Sequence, residues 1–326
     1  MMKSFYRTML MLLILAVAGL SACSGSANPQ EFPAASADPA ASLERWALYA
    51  PASSSSIPVI LAAEELGNVD LTLYTNQDQA NTLFARGEVD MVVTGLSVGV
   101  DLYRNEVPLQ IVNTYVSGLS YLVTNGEALA NFADLKGREV TVPFAGSPIE
   151  EVCRYLAAQE GLEWGQDITP VYAPFESSIA LLKQGQAGAV ILPEPSVSLL
   201  QGQPGISVSF SLYDLWNQYN PGGNGYPQVG TFANRDWAES HAAEIDAFNA
   251  ALSKAIAAAQ SDPQAAVETA AGSFKLPGGV LENALSHTHY QLYSGGEMQS
   301  HIQNYFQVIG KPLDEKYTQF YFIAEK

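Results

Sequence analysis

Leu83-Phe84-Ala85-Arg86-Gly87-Glu88-Val89-Asp90-Met91-Val92-Val93, preceded by Tyr74, returns later in the chain. The second copy is Leu181-Leu182-Lys183-Gln184-Gly185-Gln186-Ala187-Gly188-Ala189-Val190-Ile191, preceded by Tyr172. Tyrosine, leucine, glycine and the closing apolar run fall in register. Each copy reads as strand, helix, glycine stop, strand, a parallel β-α-β unit whose second strand is a buried apolar run. Two copies imply two similar α/β lobes, and a cleft between lobes is a common place to hold a small ligand.

Working outward, residues 45–49 read as a first strand, Pro51 to Ser56 as a loop, and Ile57-Pro58 as a helix start. Val69 to Thr75 is predicted strand, Asp78 to Arg86 helix and Val89 to Val93 strand, followed by a short helix ending near Arg104. Leu109 to Thr114 and Leu119 to Val123 are further strands. A fresh α/β series begins with the strand Glu139 to Val142 and a helix opened by Gly146-Ser147-Pro148. After the strand Ile168 to Tyr172, the second copy stops at Pro193-Glu194-Pro195, where two prolines enforce a break. Trp216 to Pro227 reads as an aromatic, Gly/Pro/Asn-rich loop, and Val229 to Phe232 as a strand. Beyond it the pattern is helical, with Ile245, Phe248, Leu252 and Ile256 forming one apolar stripe.

The N-terminal end predicts a secretory leader. Lys3 and Arg7 precede the apolar run Met9 to Leu20, which is too short to span a bilayer. Leu20-Ser21-Ala22-Cys23 resembles a bacterial lipobox, which implies a signal peptide over 1–22, lipidation of Cys23 and an extracytoplasmic membrane anchor. Residues 23–43, rich in Ala, Ser and Pro, read as a flexible tether. Residues 44–326 are long enough for two lobes, since domains run ~100–200 residues.

Acidic residues outnumber basic ones, 33 to 15, for a net charge of −18. A nucleic-acid partner is excluded on this balance, because phosphate neutralisation needs clustered Lys and Arg. The acidity does not specify a cationic ligand, since charges are screened over ~8 Å at physiological salt. Besides Cys23, only Cys153 remains. A cysteine metal cluster and an intramolecular disulfide in the folded part are therefore excluded.

The order of elements resembles the type II substrate-binding proteins of ABC importers, in their nitrate/sulfonate/taurine and thiamine-precursor group. The resemblance rests on Leu83 to Asp90, Asp134-Leu135-Lys136-Gly137-Arg138-Glu139-Val140, Leu181 to Ile191, Pro193-Glu194-Pro195 and the helical stretch Asn234 to Ala266. It implies a two-lobed α/β fold with a hinge and a cleft between the lobes. Lobe I would comprise residues 44–120 and 227–326, and lobe II residues 121–226. Two crossing segments, Tyr115 to Val123 and Gly225 to Thr231, would form the hinge. The resemblance further implies a small-molecule ligand, a monomer, and a permease and ATPase as partners, with no cofactor.

Ligands of parallel α/β lobes sit where strands end and helices begin, against free backbone N–H groups. Three corners qualify: Ser53-Ser54-Ser55-Ser56, Thr94-Gly95 and Gly146-Ser147. Ser53, Ser54, Ser55, Thr94, Gly95 and Ser147 are candidate ligand contacts, although the same hydroxyls also serve as helix caps. Tyr115 and Tyr226 lie at crossings and can stack on a ligand or pack the hinge. Glu194, in the Pro-Glu-Pro corner, can receive an amine or ring nitrogen or face solvent. No Arg or Lys occupies these loops. A neutral, zwitterionic or singly charged organic ligand therefore fits better than a dianion.

Two alternatives share the fold: a receptor that presents its ligand to a sensor, and an enzyme resembling thiamine-pyrimidine synthases. Against the enzyme, those synthases carry a cysteine-dense motif, and His241, His287, His289 and His301 all follow the last predicted cleft loop. That order leaves no imidazole for acid/base work in the cleft. His287 and His289 read as surface residues on a helix, from which they diverge and hold no metal.

Overall fold

The computed structural model describes residues 44–323, all within one compact unit. The leader, Cys23 and the tether lie outside the described residues. Both sequence copies form the predicted units. The chain begins β1 (Trp46–Pro51), α1 (Ile57–Leu66), β2 (Val69–Tyr74), α2 (Gln77–Ala85), β3 (Met91–Gly95), α3 (Leu96–Arg104) and β4 (Leu109–Gly118). It crosses at Leu119 into β5 (Ser120–Asn125), β6 (Glu139–Val142), α4 (Pro148–Gln159), β7 (Thr169–Tyr172), α5 (Phe175–Lys183) and β8 (Ala189–Pro193). Then follow α6 (Ser196–Leu200), β9 (Ile206–Ser211) and α7 (Leu212–Tyr219). The return run is β10 (Val229–Asn234), α8 (Arg235–Ser240), α9 (Ala242–Ser261), α10 (Pro263–Ala270), α11 (Gly278–Ser286), β11 (His289–Tyr293) and α12 (Gly295–Val308).

Two sheets result, ordered β11-β4-β10-β3-β1-β2 and β7-β6-β8-β5-β9. In the first, β2 and β3 both run parallel to β1 between them, and in the second β7 and β8 flank β6 in the same way. The repeated strands are thus separated by the strand that opens each series. Each repeat also carries one antiparallel neighbour, β10 against β3 and β5 against β8. These neighbours are exchanged: β5 arrives directly from the first sheet, and β10 returns to it from the second.

The glycine stops work identically in both copies. Gly87 and Gly185 sit at φ +71° and +69°, the left-handed region that favours glycine. The N–H groups that follow close each helix, Glu88 onto the Leu83 carbonyl (3.0 Å) and Gln186 onto Leu181 (2.9 Å).

Burial follows the patterns. The stripe Ile245, Phe248, Leu252 and Ile256 faces inward, and α9 packs on α1. Each such side chain contributes ~1.5–3 kcal/mol on burial. A second apolar cluster continues across both sheets, from Phe84 and Val92 through Val140 and Ile149 to Trp216, Tyr226 and Tyr305. Among the described residues no helix is long and apolar enough to cross a membrane.

Two expectations are corrected. Trp216 to Tyr219 are helical, because Ser211 caps α7 by accepting the N–H groups of Tyr213 (3.1 Å) and Asp214 (3.3 Å). The return run is also not wholly helical: His289–Tyr293 form an edge strand on β4, with register shifts that blur its alternation.

Gly185→Ala tests the repeat directly. Open space surrounds Gly185, so only backbone strain opposes a methyl group there. A loss of ~1–2 kcal/mol in urea denaturation is expected. Gly188→Ala, which has equal space and no positive φ, should be neutral or slightly stabilising.

Candidate functional site

The predicted corners all lie where strands of the two sheets end, and the structure sorts them into two clusters. The first gathers around the corner after β1. Ser53 Oγ and Ser55 Oγ are 2.7 Å apart, and Ser54 Oγ meets Thr288 Oγ1 at 2.8 Å. The carbonyls of Ser54 and Ser55 accept the hydroxyls of Tyr290 (2.6 Å) and Tyr115 (3.1 Å). Burial pushes both tyrosine hydroxyls well above their usual range, so they act as neutral donors.

Glu194 meets this cluster from the second sheet. Its carboxylate is fully buried, and Oε2 accepts the Ser198 N–H at 3.0 Å. Oε1 lies 3.3 Å from His287 Nδ1, without the geometry of a hydrogen bond. Burial raises the Glu194 carboxyl above the usual carboxylate range, with Ser198 and His287 working against it. The reading of His287 as a helical surface residue remote from the cleft is therefore corrected. It follows the last residue of α11, accepts the Tyr121 hydroxyl on its carbonyl (2.7 Å), and turns its ring toward Glu194. His289 lies in β11 and stacks on Tyr213 at 3.6 Å.

The second cluster holds Thr94, Gly95 and Ser147. A Cβ at Gly95 would come within 2.8 Å of Pro148 Cγ, so only glycine permits this approach of the two lobes. Ser147 caps α4 by accepting the Glu150 N–H at 3.1 Å. Next to it the adjacent acids Glu150 and Glu151 point apart, as neighbours on a helix must. Glu150 turns inward and accepts the Gly146 N–H (2.6 Å), Arg154 (2.7 Å), the Tyr172 hydroxyl (2.8 Å) and the Trp164 indole (2.9 Å). Glu151 points to the other lobe, toward Ser97 Oγ, Lys311 Nζ (3.0 Å) and Tyr305 OH (3.5 Å). Tyr226 belongs to neither cluster; it packs on Trp216, ring centroids 5.4 Å apart.

Three predicted residues keep a buried oxygen without a hydrogen-bond partner: Thr94 Oγ1, Glu194 Oε1 and Tyr226 OH. Such atoms cost about 1–3 kcal/mol each unless something satisfies them. Cavities adjoin both clusters. One of about 410 Å³ is lined by Ser117, Tyr213, Thr288, His289 and Tyr290, and another of about 490 Å³ by Ser97, Arg104, Gly146, Glu151 and Lys311. Among the described residues no group of three or more His, Cys, Asp or Glu is placed to hold a metal.

Sequence reasoning missed Thr288, Tyr290, His287 and Lys311, all from the return run. It also missed Gln228, whose side chain accepts the Leu119 N–H (3.1 Å) and donates to Ser120 Oγ (2.8 Å). A lone glutamine just before a predicted strand was the available signal for Gln228.

Glu150 gives a pH test. Burial works to raise its carboxyl, but the Gly146 N–H, Tyr172, Trp164 and Arg154 outweigh it, and the net shift is downward. A depressed carboxylate contributes stability above the unfolded value and loses it as pH falls. Glu150→Gln should lose about 2–3 kcal/mol in urea denaturation at pH 7. The difference from wild type should shrink as pH falls below about 4.

With this geometry in hand, likeness to known proteins is informative. The family model described as NMT1/THI5 like matches residues 62–266. No curated protein matches the chain. The periplasmic aliphatic sulphonate binding protein SsuA from Escherichia coli superposes with a TM-score of 0.70 at 21% identity, covering 87% of this chain and 94% of that one. A ligand-binding component of an ABC-type import system from Staphylococcus aureus gives 0.69 at 12%, covering 86% and 97%. The periplasmic nitrate-binding protein NrtA from Synechocystis gives 0.63 at 15%, covering 82% and 81%. At these identities the likeness speaks for the fold, the two-lobed α/β architecture of the periplasmic binding proteins. The family match spans more than half of the chain, and the chain belongs to the NMT1/THI5-like family.

Proposed function

We propose that this chain is an extracytoplasmic solute-binding protein that closes its two lobes on a small organic ligand and delivers it to an ABC importer. Lobe I comprises residues 44–120 and 227–326, lobe II residues 121–226, and the crossings at Leu119 and before Val229 bend between them. Lipidation at Cys23 tethers the protein to a membrane, and a permease with its ATPase receives the closed form. The structural relatives named as sulphonate-, nitrate- and ABC-import ligand-binding proteins support this reading.

One observation carries it. Thr94, Glu194 and Tyr226 keep buried oxygens without hydrogen-bond partners, which the polar groups of a ligand held between the lobes would satisfy. Glu194 then receives an amine or a ring N–H, Thr94 and Tyr226 complete the contacts, and the first cluster holds Ser54 rigid beneath them. Ser147 serves mainly as the cap of α4. A neutral, zwitterionic or singly charged organic compound with at least one N–H suits this lining best. Binding is favoured over catalysis because Cys153 is fully buried and burial pushes its thiol up, away from a reactive thiolate.

A thermal-shift panel tests the proposal with alkanesulfonates, taurine, nitrate, thiamine pyrimidines, purines, amino acids and aromatic acids. A ligand at a hundred times its dissociation constant adds ~2.7 kcal/mol, which raises the melting point by several degrees. One strong hit is expected, weakened about fivefold or more by Glu194→Gln or Thr94→Val, since each removes a buried partner worth ~1–3 kcal/mol. A hit whose affinity is indifferent to both substitutions would place the ligand elsewhere.

A further inference from the structure

Glu151 lies in the first turn of α4, on the second-sheet side, yet its partners come from the first-sheet side. Ser97 belongs to the start of α3, Tyr305 to α12, and Lys311 to the turn after α12. That turn is fixed by the same device that ends the repeat helices. Gly310 sits at φ +73°, and the Lys311 N–H closes onto the Phe306 carbonyl at 2.8 Å. The carboxylate of Glu151 is buried, whereas the Lys311 side chain is about half exposed (54%). The opposite flank also touches: Asn283 Nδ2 donates to Ser198 Oγ at 3.0 Å, and His287 faces Glu194.

We infer that a clasp in which Lys311, Ser97 and Tyr305 of lobe I grip Glu151 of lobe II biases the lobes toward the closed form that ligand then completes. The inference rests on the clamp reading above and adds an element to it, the turn after α12 as the control of closure. Physical asymmetry makes the clasp a switch. When the lobes part, water takes over all the partners of Glu151 and little is lost. When they are closed, water is excluded, and the charge depends on Lys311 and two hydroxyls. Removing Lys311 therefore penalises the closed form alone, because it leaves a buried carboxylate short of a counter-charge. Arg104, Asp101 and Asp314 also line the adjoining cavity. Arg104 pairs with Asp101 at 2.7 Å and feels the Glu151 charge without a hydrogen bond to it, so it softens the loss of Lys311 without replacing its contact.

Small-angle X-ray scattering on the full chain, with no ligand added, reads the clasp directly. The wild type should scatter as a mixture of open and closed forms with a measurable closed share. Lys311→Met should shift the closed-to-open ratio by about tenfold or more toward open, with unchanged circular dichroism. Adding Glu151→Gln to that variant removes the stranded charge and should bring the profile back toward closed. Ser97→Ala offers a second route to opening if Lys311→Met fails to fold. A wild type with no closed share, or a Lys311→Met variant that scatters like wild type, overturns the clasp. Because no ligand enters the experiment, its failure leaves the ligand-binding proposal standing, and a flat ligand panel leaves the clasp standing.

Discussion

Gln228 is the joint on which the architecture depends. Its side chain holds the first crossing at Leu119 and Ser120, its own N–H pairs with the Val116 carbonyl (2.9 Å), and its carbonyl accepts the Leu96 N–H (3.0 Å). One buried residue, through its side chain and its backbone, thus ties together both crossings and the start of α3. The crossings need such a tie because each sheet borrows its antiparallel strand from the other half of the chain. Gly225 lets the second crossing lie tight against the first, since a Cβ there would fall 2.2 Å from the Ser117 carbonyl oxygen. The backbone groups named at this joint are satisfied within the protein, as burial requires.

From that joint the two lobes meet along two flanks of different chemistry. On one, the hydroxyl-rich group Ser54, Thr288, Tyr290 and Tyr115 lies wholly on the first-sheet side, and Glu194 of the second side approaches its edge at His287. The other is charged, built from Glu151 and Lys311 beside the close approach of Gly95 and Pro148. Most polar groups on both flanks are satisfied by protein, as burial demands. The exceptions are Thr94 Oγ1 and Glu194 Oε1, which have no hydrogen-bond partner.

Much of this was legible in the sequence because it is local. Apolar runs, the helical stripe of α9 and the glycine stops at Gly87 and Gly185 each declare an element within a few residues. The corners were legible too, since strand-end loops rich in Ser and Gly precede helices. The partners of those corners were not. Thr288 lies 234 residues from Ser54, and Lys311 lies 160 from Glu151. No local periodicity encodes contacts at that range. Glu150 and Glu151 look alike in the sequence, and only the helical turn between them sends one inward and one across the junction. The strand β11 escaped because five residues at a sheet edge, with shifted register, carry too weak an alternation.

The most direct test of the two-lobed clamp is amide hydrogen exchange on the chain with and without its strongest-binding compound. The account predicts added protection on both sides of the junction together, at Ser54 to Ile57 and Leu96-Ser97 in one lobe and at Ile149 to Glu151 in the other. Protection confined to a single lobe, with the other unchanged, would contradict closure around a shared ligand.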